Sequence, residues 1–160
     1  MKLKKIFLSL IFSFTLASCS NNVNPLVKPT DYTLDYWIGD KINPINLIEE
    51  NIYRQEADNI LYLDSKYEVK ENKNGNATLP DEYALYNIDL CDDNYIVSNI
   101  YITDPNIEIY GMSMKTDSNT IHKTFCDLGF EFLDKYSGLD SCYSKNGIEF
   151  RIYPSYISIG

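Results

Sequence analysis

The stretch Ser141-Cys142-Tyr143-Ser144-Lys145-Asn146-Gly147-Ile148-Glu149-Phe150-Arg151-Ile152-Tyr153 reads as a β-hairpin turning at Asn146-Gly147. Asn-Gly accepts the positive φ angles of a two-residue turn, and both flanks alternate in polarity. Such a turn sets Tyr143 opposite Phe150 and Lys145 opposite Ile148. Tyr143, Lys145, Ile148, Phe150 and Ile152 then share one face, and Cys142, Ser144, Glu149 and Arg151 the other. The first face is apolar and needs a cover. The sequence just upstream supplies one: Asp117 or Ser118 caps a short helix with Ile121, Phe125 and Leu128 on one side, and Gly129 follows as its left-handed end. An extended run from Glu131 to Tyr136 leads into the hairpin, and Pro154-Ser155 turns the chain into Tyr156 to Ile159.

Working towards the N-terminus, the same grammar recurs. Asn43 is a good cap and Pro44 suits a first helical position. Ile45, Ile48 and Ile52 follow at helical spacing, with Glu50 and Arg54 four apart for a weak pair. This predicts a helix from Pro44 that fades by Asp58-Asn59. Strand-like runs follow at Asn59–Leu63 and Tyr67–Lys70. After the turn signal Lys73-Asn74-Gly75-Asn76 comes Tyr83–Leu90, with Ala84, Tyr86, Ile88 and Leu90 on one side. Beyond the turn Cys91-Asp92-Asp93-Asn94 lies Tyr95–Thr103, with Ile96, Ile100 and Ile102 sharing a face. Asp104-Pro105-Asn106 closes it, and Ile107–Met114 is extended. The pattern predicts an α+β fold of two helix-plus-antiparallel-meander halves, 33–104 and 105–160, in one compact domain. Ile45 and Ile52 align with Ile121 and Leu128, and Lys73-Asn74-Gly75 with Lys145-Asn146-Gly147, which suggests a duplication.

The N-terminus carries an address. Lys2, Lys4 and Lys5 precede an apolar stretch, Ile6 to Phe14, that is too short to span a bilayer, which takes roughly 20 residues. Leu16-Ala17-Ser18-Cys19 then resembles the lipobox of bacterial lipoproteins. The resemblance implies a signal peptide over 1–18, diacylglycerol on the Cys19 thiol, and cleavage between Ser18 and Cys19. Residues 19–32 contain Pro25 and Pro29 and lack periodicity, so they read as a flexible tether. The expected location is the extracytoplasmic side of a cell membrane or outer membrane.

Cleavage would remove three of the fourteen basic residues, leaving 142 residues with 23 acidic against 11 basic side chains and a net charge of −12. That field repels phosphate backbones and anionic headgroups, which argues against nucleic acid and against a basic membrane patch. Membrane attachment then rests on the lipid.

Candidate chemistry is sparse. His122 is the only histidine, too few for a histidine metal cage, and it sits beside Lys123 and Thr124 on the polar side of its helix. No Gly-x-Ser-x-Gly elbow and no phosphate-binding glycine loop occur. Asp89, Asp92, Asp93 and Asn94 cluster at a turn, but Cys91 interrupts the calcium-loop pattern. No catalytic residue, cofactor or metal site is expected. Counting faces also separates Cys126 from Cys142 by the sheet and leaves Cys91 at a turn, so a domain without disulfides is expected. Tyr153 and Tyr156 flank a turn, where exposed rings suit protein or glycan contacts.

The run Asp117-Ser118, Ile121, Leu128-Gly129, Tyr143, Ile148-Glu149-Phe150 and Ile157 resembles small envelope lipoproteins of the BamE/SmpA and beta-lactamase-inhibitor-protein-like type. Phe130 stands where that family has a proline, and Lys115 or Thr116 where it has a glycine before the helix. The resemblance implies one or two helix-plus-meander units and a non-catalytic binding or assembly role with a protein partner in the envelope. The alternative expectation is a small envelope hydrolase using paired carboxylates.

Overall fold

The computed structural model describes residue 29 and residues 33–43, 47, 52–133 and 141–160. Its strands are β1 (Lys41–Ile42), β2 (Ile52–Glu56), β3 (Asn59–Leu63), β4 (Lys70–Glu71), β5 (Ala77–Thr78), β6 (Ala84–Cys91), β7 (Asn94–Ile102), β8 (Glu131–Phe132), β9 (Ser141–Lys145), β10 (Ile148–Ile152) and β11 (Ile157–Ile159). Among the described residues one helix, α1 (Ser118–Asp127), lies between β7 and β8.

The main sheet is antiparallel throughout, in the order β2-β3-β6-β7-β11-β10-β9-β8, with β1 paired to the start of β7. A single row of paired residues crosses it from edge to edge: Ile52, Tyr62, Tyr86, Ile100, Ile159, Phe150, Tyr143 and Phe132. Six of the eight are buried. Side chains of one row point to one face, so this row forms the spine of the core. Several segments cover it. From α1 come Ile121 and Phe125. The chain before β1 supplies Leu34 and Trp37, and the β7–α1 connection supplies Ile107, Ile109 and Met112.

Local chemistry sets the well-formed elements. Asp117 caps α1 by accepting from the Thr120 amide, and Gly129 ends the helix at φ +79°. Asn146 and Gly147 both take positive φ, and the pairs Tyr143–Phe150 and Lys145–Ile148 form as the turn dictates. Phe125 stacks on Tyr143 with centroids 4.5 Å apart, joining helix to hairpin.

The α+β, two-helix duplication is corrected. The chain is predominantly antiparallel β, with one short helix among the described residues. Of the expected first helix, Pro44, Ile45, Ile48 and Glu50 lie outside the described residues, while Ile52 opens β2 and Arg54 pairs with Glu56 in that strand. The glycine turns are not equivalent either. Gly75 belongs to the small β4–β5 ribbon, whereas Gly147 turns two strands of the main sheet. One sheet runs through both 33–104 and 105–160, since β11 pairs directly with β7.

Three strand readings also change. The register shift between Asn87 and Ile88 leaves Ser98 as an extra residue in β7, so Val97 rather than Ile96 joins Ile100 and Ile102 in the core. Leu90, expected inside, is exposed. Ile107–Met114 is no strand: Ile109 bridges Met112 across a turn at Tyr110-Gly111. The end of the expected run Glu131–Tyr136 lies outside the described residues.

Candidate functional site

Among the described residues, α1 and the segments that carry the core lie on one face of the sheet. On the other face a second row runs through Leu63, Leu85, Tyr101, Ser158, Arg151 and Cys142. A parallel row runs through Arg54, Leu61, Asn87 and Asn99. Between them the sheet curves into an open groove of about 540 Å³.

Leu61 and Leu85 give the groove its apolar floor, and Tyr83, Tyr101 and Tyr156 give it aromatic surface. Asn59, Asn87 and Thr103 add uncharged polar groups. Arg54 and Glu56 stand at the β2 edge as an exposed ion pair, and Glu56 is the single carboxylate among the lining residues. Tyr156 stacks on Tyr153 with centroids 4.1 Å apart and planes 13° from parallel. Burial, then its hydrogen bond with Tyr153, raises the Tyr156 hydroxyl pKa above the ordinary value, so it remains protonated at neutral pH. Along the sheet, Arg151 donates to Glu149 through Nε at 3.0 Å and Nη2 at 2.7 Å. The groove is therefore polar and aromatic, and its two charged lining residues, Arg54 and Glu56, are paired with each other.

Other sequence candidates fall elsewhere. Cys19 lies outside the described residues. Asp92 and Asp93 take positive φ in the β6–β7 turn with exposed side chains, and among the described residues no three His, Cys, Asp or Glu groups converge on a cation position. His122 has Nδ1 3.3 Å from the Tyr143 hydroxyl and Nε2 3.7 Å from the Cys126 sulfur. This cluster lies on the helix side of the sheet, and His122 and Cys126 are both exposed.

Carboxylates do come together, but as struts. Asp64 is buried and accepts from the Tyr86 hydroxyl at 2.8 Å, the Asp35 amide at 3.1 Å and the Lys66 amide at 3.3 Å. Burial raises the Asp64 carboxyl pKa, the Tyr86 hydrogen bond offsets part of that, and the Asp35 charge adds to the rise. Asp35 in turn accepts from the Ser65 amide at 2.6 Å and hydroxyl at 2.9 Å. Asp104 accepts from the Tyr67 hydroxyl and the Asn106 amide. These contacts tie the chain before β1, and the start of the β7–α1 connection, to the end of β3.

Cys126 and Cys142 both remain thiols, on opposite faces of the sheet. Cys91 departs from expectation: it is disulfide-bonded, with its partner outside the described residues. A domain free of disulfides is corrected on this point.

Of the groove residues, sequence reading singled out only Tyr156. The signal for the rest lay in the odd positions of β6, where Leu85 and Asn87 point away from Ala84, Tyr86 and Ile88. No family model, curated protein or solved structure matches this chain.

Proposed function

We propose that this protein is a lipid-anchored, extracytoplasmic binding protein of the bacterial cell envelope, without chemistry of its own. Two features support the reading. The N-terminus has the order of a lipoprotein signal, ending in Leu16-Ala17-Ser18-Cys19. The domain presents an open groove rich in tyrosine, whose single lining carboxylate is neutralised by Arg54. The groove carries the binding role. It offers area, hydrogen bonds and no poised acid–base pair, whereas a carboxylate hydrolase needs two facing carboxyl groups. Attachment through two acyl chains on Cys19 would hold the protein at the membrane, with residues 19–32 as spacer.

The test is metabolic labelling with a fatty acid, followed by fractionation. Wild type is expected to take up label and sediment with membranes. Cys19→Ala is expected to accumulate as an unlabelled precursor. Equal labelling of the two proteins rejects the anchor.

A further inference from the structure

We infer that the outer-face groove is a binding site for an uncharged oligosaccharide; the inference rests on the binding role proposed above and names its ligand class. It follows from what the lining offers and what it would leave unsatisfied.

An ionic ligand finds no counter-charge. Arg54, the single cationic lining residue, is paired with Glu56, and the next charged pair along the sheet, Arg151–Glu149, is likewise closed. The processed chain would carry a net charge of −12, which adds a repulsive field against anions. A cation finds one carboxylate, already neutralised. A purely apolar ligand fits no better. An alkyl chain lying over Leu61 and Leu85 would strip water from Asn59 and Asn87 and return no hydrogen bond, while the Thr103 hydroxyl is already engaged with the Tyr83 backbone. The groove, at about 540 Å³, falls in the ~300–1,000 Å³ range of small-ligand sites.

What remains is a ligand with apolar C–H faces and a rim of uncharged hydroxyls. A pyranose ring has both. Its faces can lie on Tyr101, Tyr156 and the leucine floor, while its hydroxyls reach the side-chain amides of Asn59 and Asn87. Tyr101 is fixed for this role. It is paired across the sheet with Leu85 on one side and Ser158 on the other, and is half-buried between them. The groove is open to solvent, so a chain of sugars can run through it.

The experiment uses the mature lipoprotein in neutral detergent. It is screened on an array of neutral and acidic glycans and then titrated calorimetrically with β-1,4-linked glucose, β-1,4-linked N-acetylglucosamine and α-1,4-linked glucose tetramers. A galacturonate tetramer serves as the acidic control. Saturable binding of at least one neutral glycan is expected. Tyr101→Ala and Asn87→Leu should each weaken it roughly tenfold or more, and Tyr101→Phe, which keeps the ring, should bind within a few-fold of wild type. Thermal melts confirm that each variant is folded; should Tyr101→Ala unfold, Asn87→Leu and Asn59→Leu decide. Three results overturn the inference: no neutral glycan bound, folded Tyr101→Ala, Asn87→Leu or Asn59→Leu variants that bind like wild type, or preference for the acidic glycan. Glycan binding by a protein that takes up no fatty acid would reject the anchor and keep the site. Capture of a protein partner through the groove without glycan binding would keep the binding role and reject the ligand class.

Discussion

The Tyr86 hydroxyl donates to Oδ2 of Asp64 at 2.8 Å, and both side chains are shut off from water. The same hydroxyl accepts from the Asp35 amide at 3.0 Å. One oxygen thus links the middle of β6, the end of β3 and the chain before β1. Tyr86→Phe removes it and leaves a buried carboxylate with one donor fewer. The expected cost is about 1–3 kcal/mol of stability, measured by urea denaturation. A change below a few tenths of a kcal/mol would show that water takes the hydroxyl's place.

Asp64 also sets a pH dependence. Burial holds its folded pKa above the ordinary 3.8, so the folded state binds this proton more tightly than the unfolded state. Stability from this group is therefore greatest below the unfolded pKa, and it falls as pH rises from 3.8 to the raised folded value. Asp104 acts in the opposite sense. Burial raises its pKa, but the Tyr67 and Asn106 hydrogen bonds and the Lys66 charge outweigh that and lower it below 3.8. Its contribution is present above 3.8 and is lost as pH falls through the lowered value. Asp64→Asn should thus gain stability relative to wild type as pH rises from about 4. Parallel urea midpoints for the two proteins across that range would refute the assignment.

Phe125 anchors the helix. Its ring lies 14° from parallel with Tyr143 and also contacts Phe130 and Phe150. Phe125→Ala opens a cavity among three rings, at an expected cost of about 3–5 kcal/mol. Asp117→Ala, which removes only the exposed cap, should cost clearly less. Equal losses in denaturation of the two variants would mean that α1 is not held by its apolar face.

Thiol chemistry tests the anchor independently of labelling. The sulfur of Cys19 can carry a diacylglyceryl thioether or a disulfide, never both. In membrane-extracted protein, mass mapping is expected to show lipid on the Cys19 peptide, with Cys91 then released from the disulfide that the structure gives it. A peptide joining Cys19 to Cys91 would sink the lipid anchor and make the N-terminus a covalent part of the domain.

Legibility in the sequence tracked turn chemistry. The β9–β10 register and α1 were readable because Asn146-Gly147, Asp117 and Gly129 mark their own conformations. The β2–β3 hairpin was hidden for the converse reason. It turns at Ala57-Asp58, with Ala57 at φ +50°, a conformation that alanine seldom adopts and that no residue type announces. Without that marker, the spacing of Ile45, Ile48 and Ile52 read as one helical face. The bulge at Ser98 was equally silent, and it moved Val97 into the core in place of Ile96. The groove escaped notice because it is assembled from β2, β3, β6, β7 and the residue before β11, with few neighbours in sequence among its lining residues.

The position of β11 gives the sheet its most distant closure in sequence between β7 and β10. It is the seam between β7 and β10, and its pairing of Ile157 with Ile102 joins residues 55 positions apart. Until that segment docks, the hairpin at Asn146-Gly147 and the meander of β2, β3, β6 and β7 share no ladder of hydrogen bonds. Contacts this distant slow collapse to the native state. Until β11 takes its place, the facing edges of β7 and β10 stay unpaired and open to any other strand.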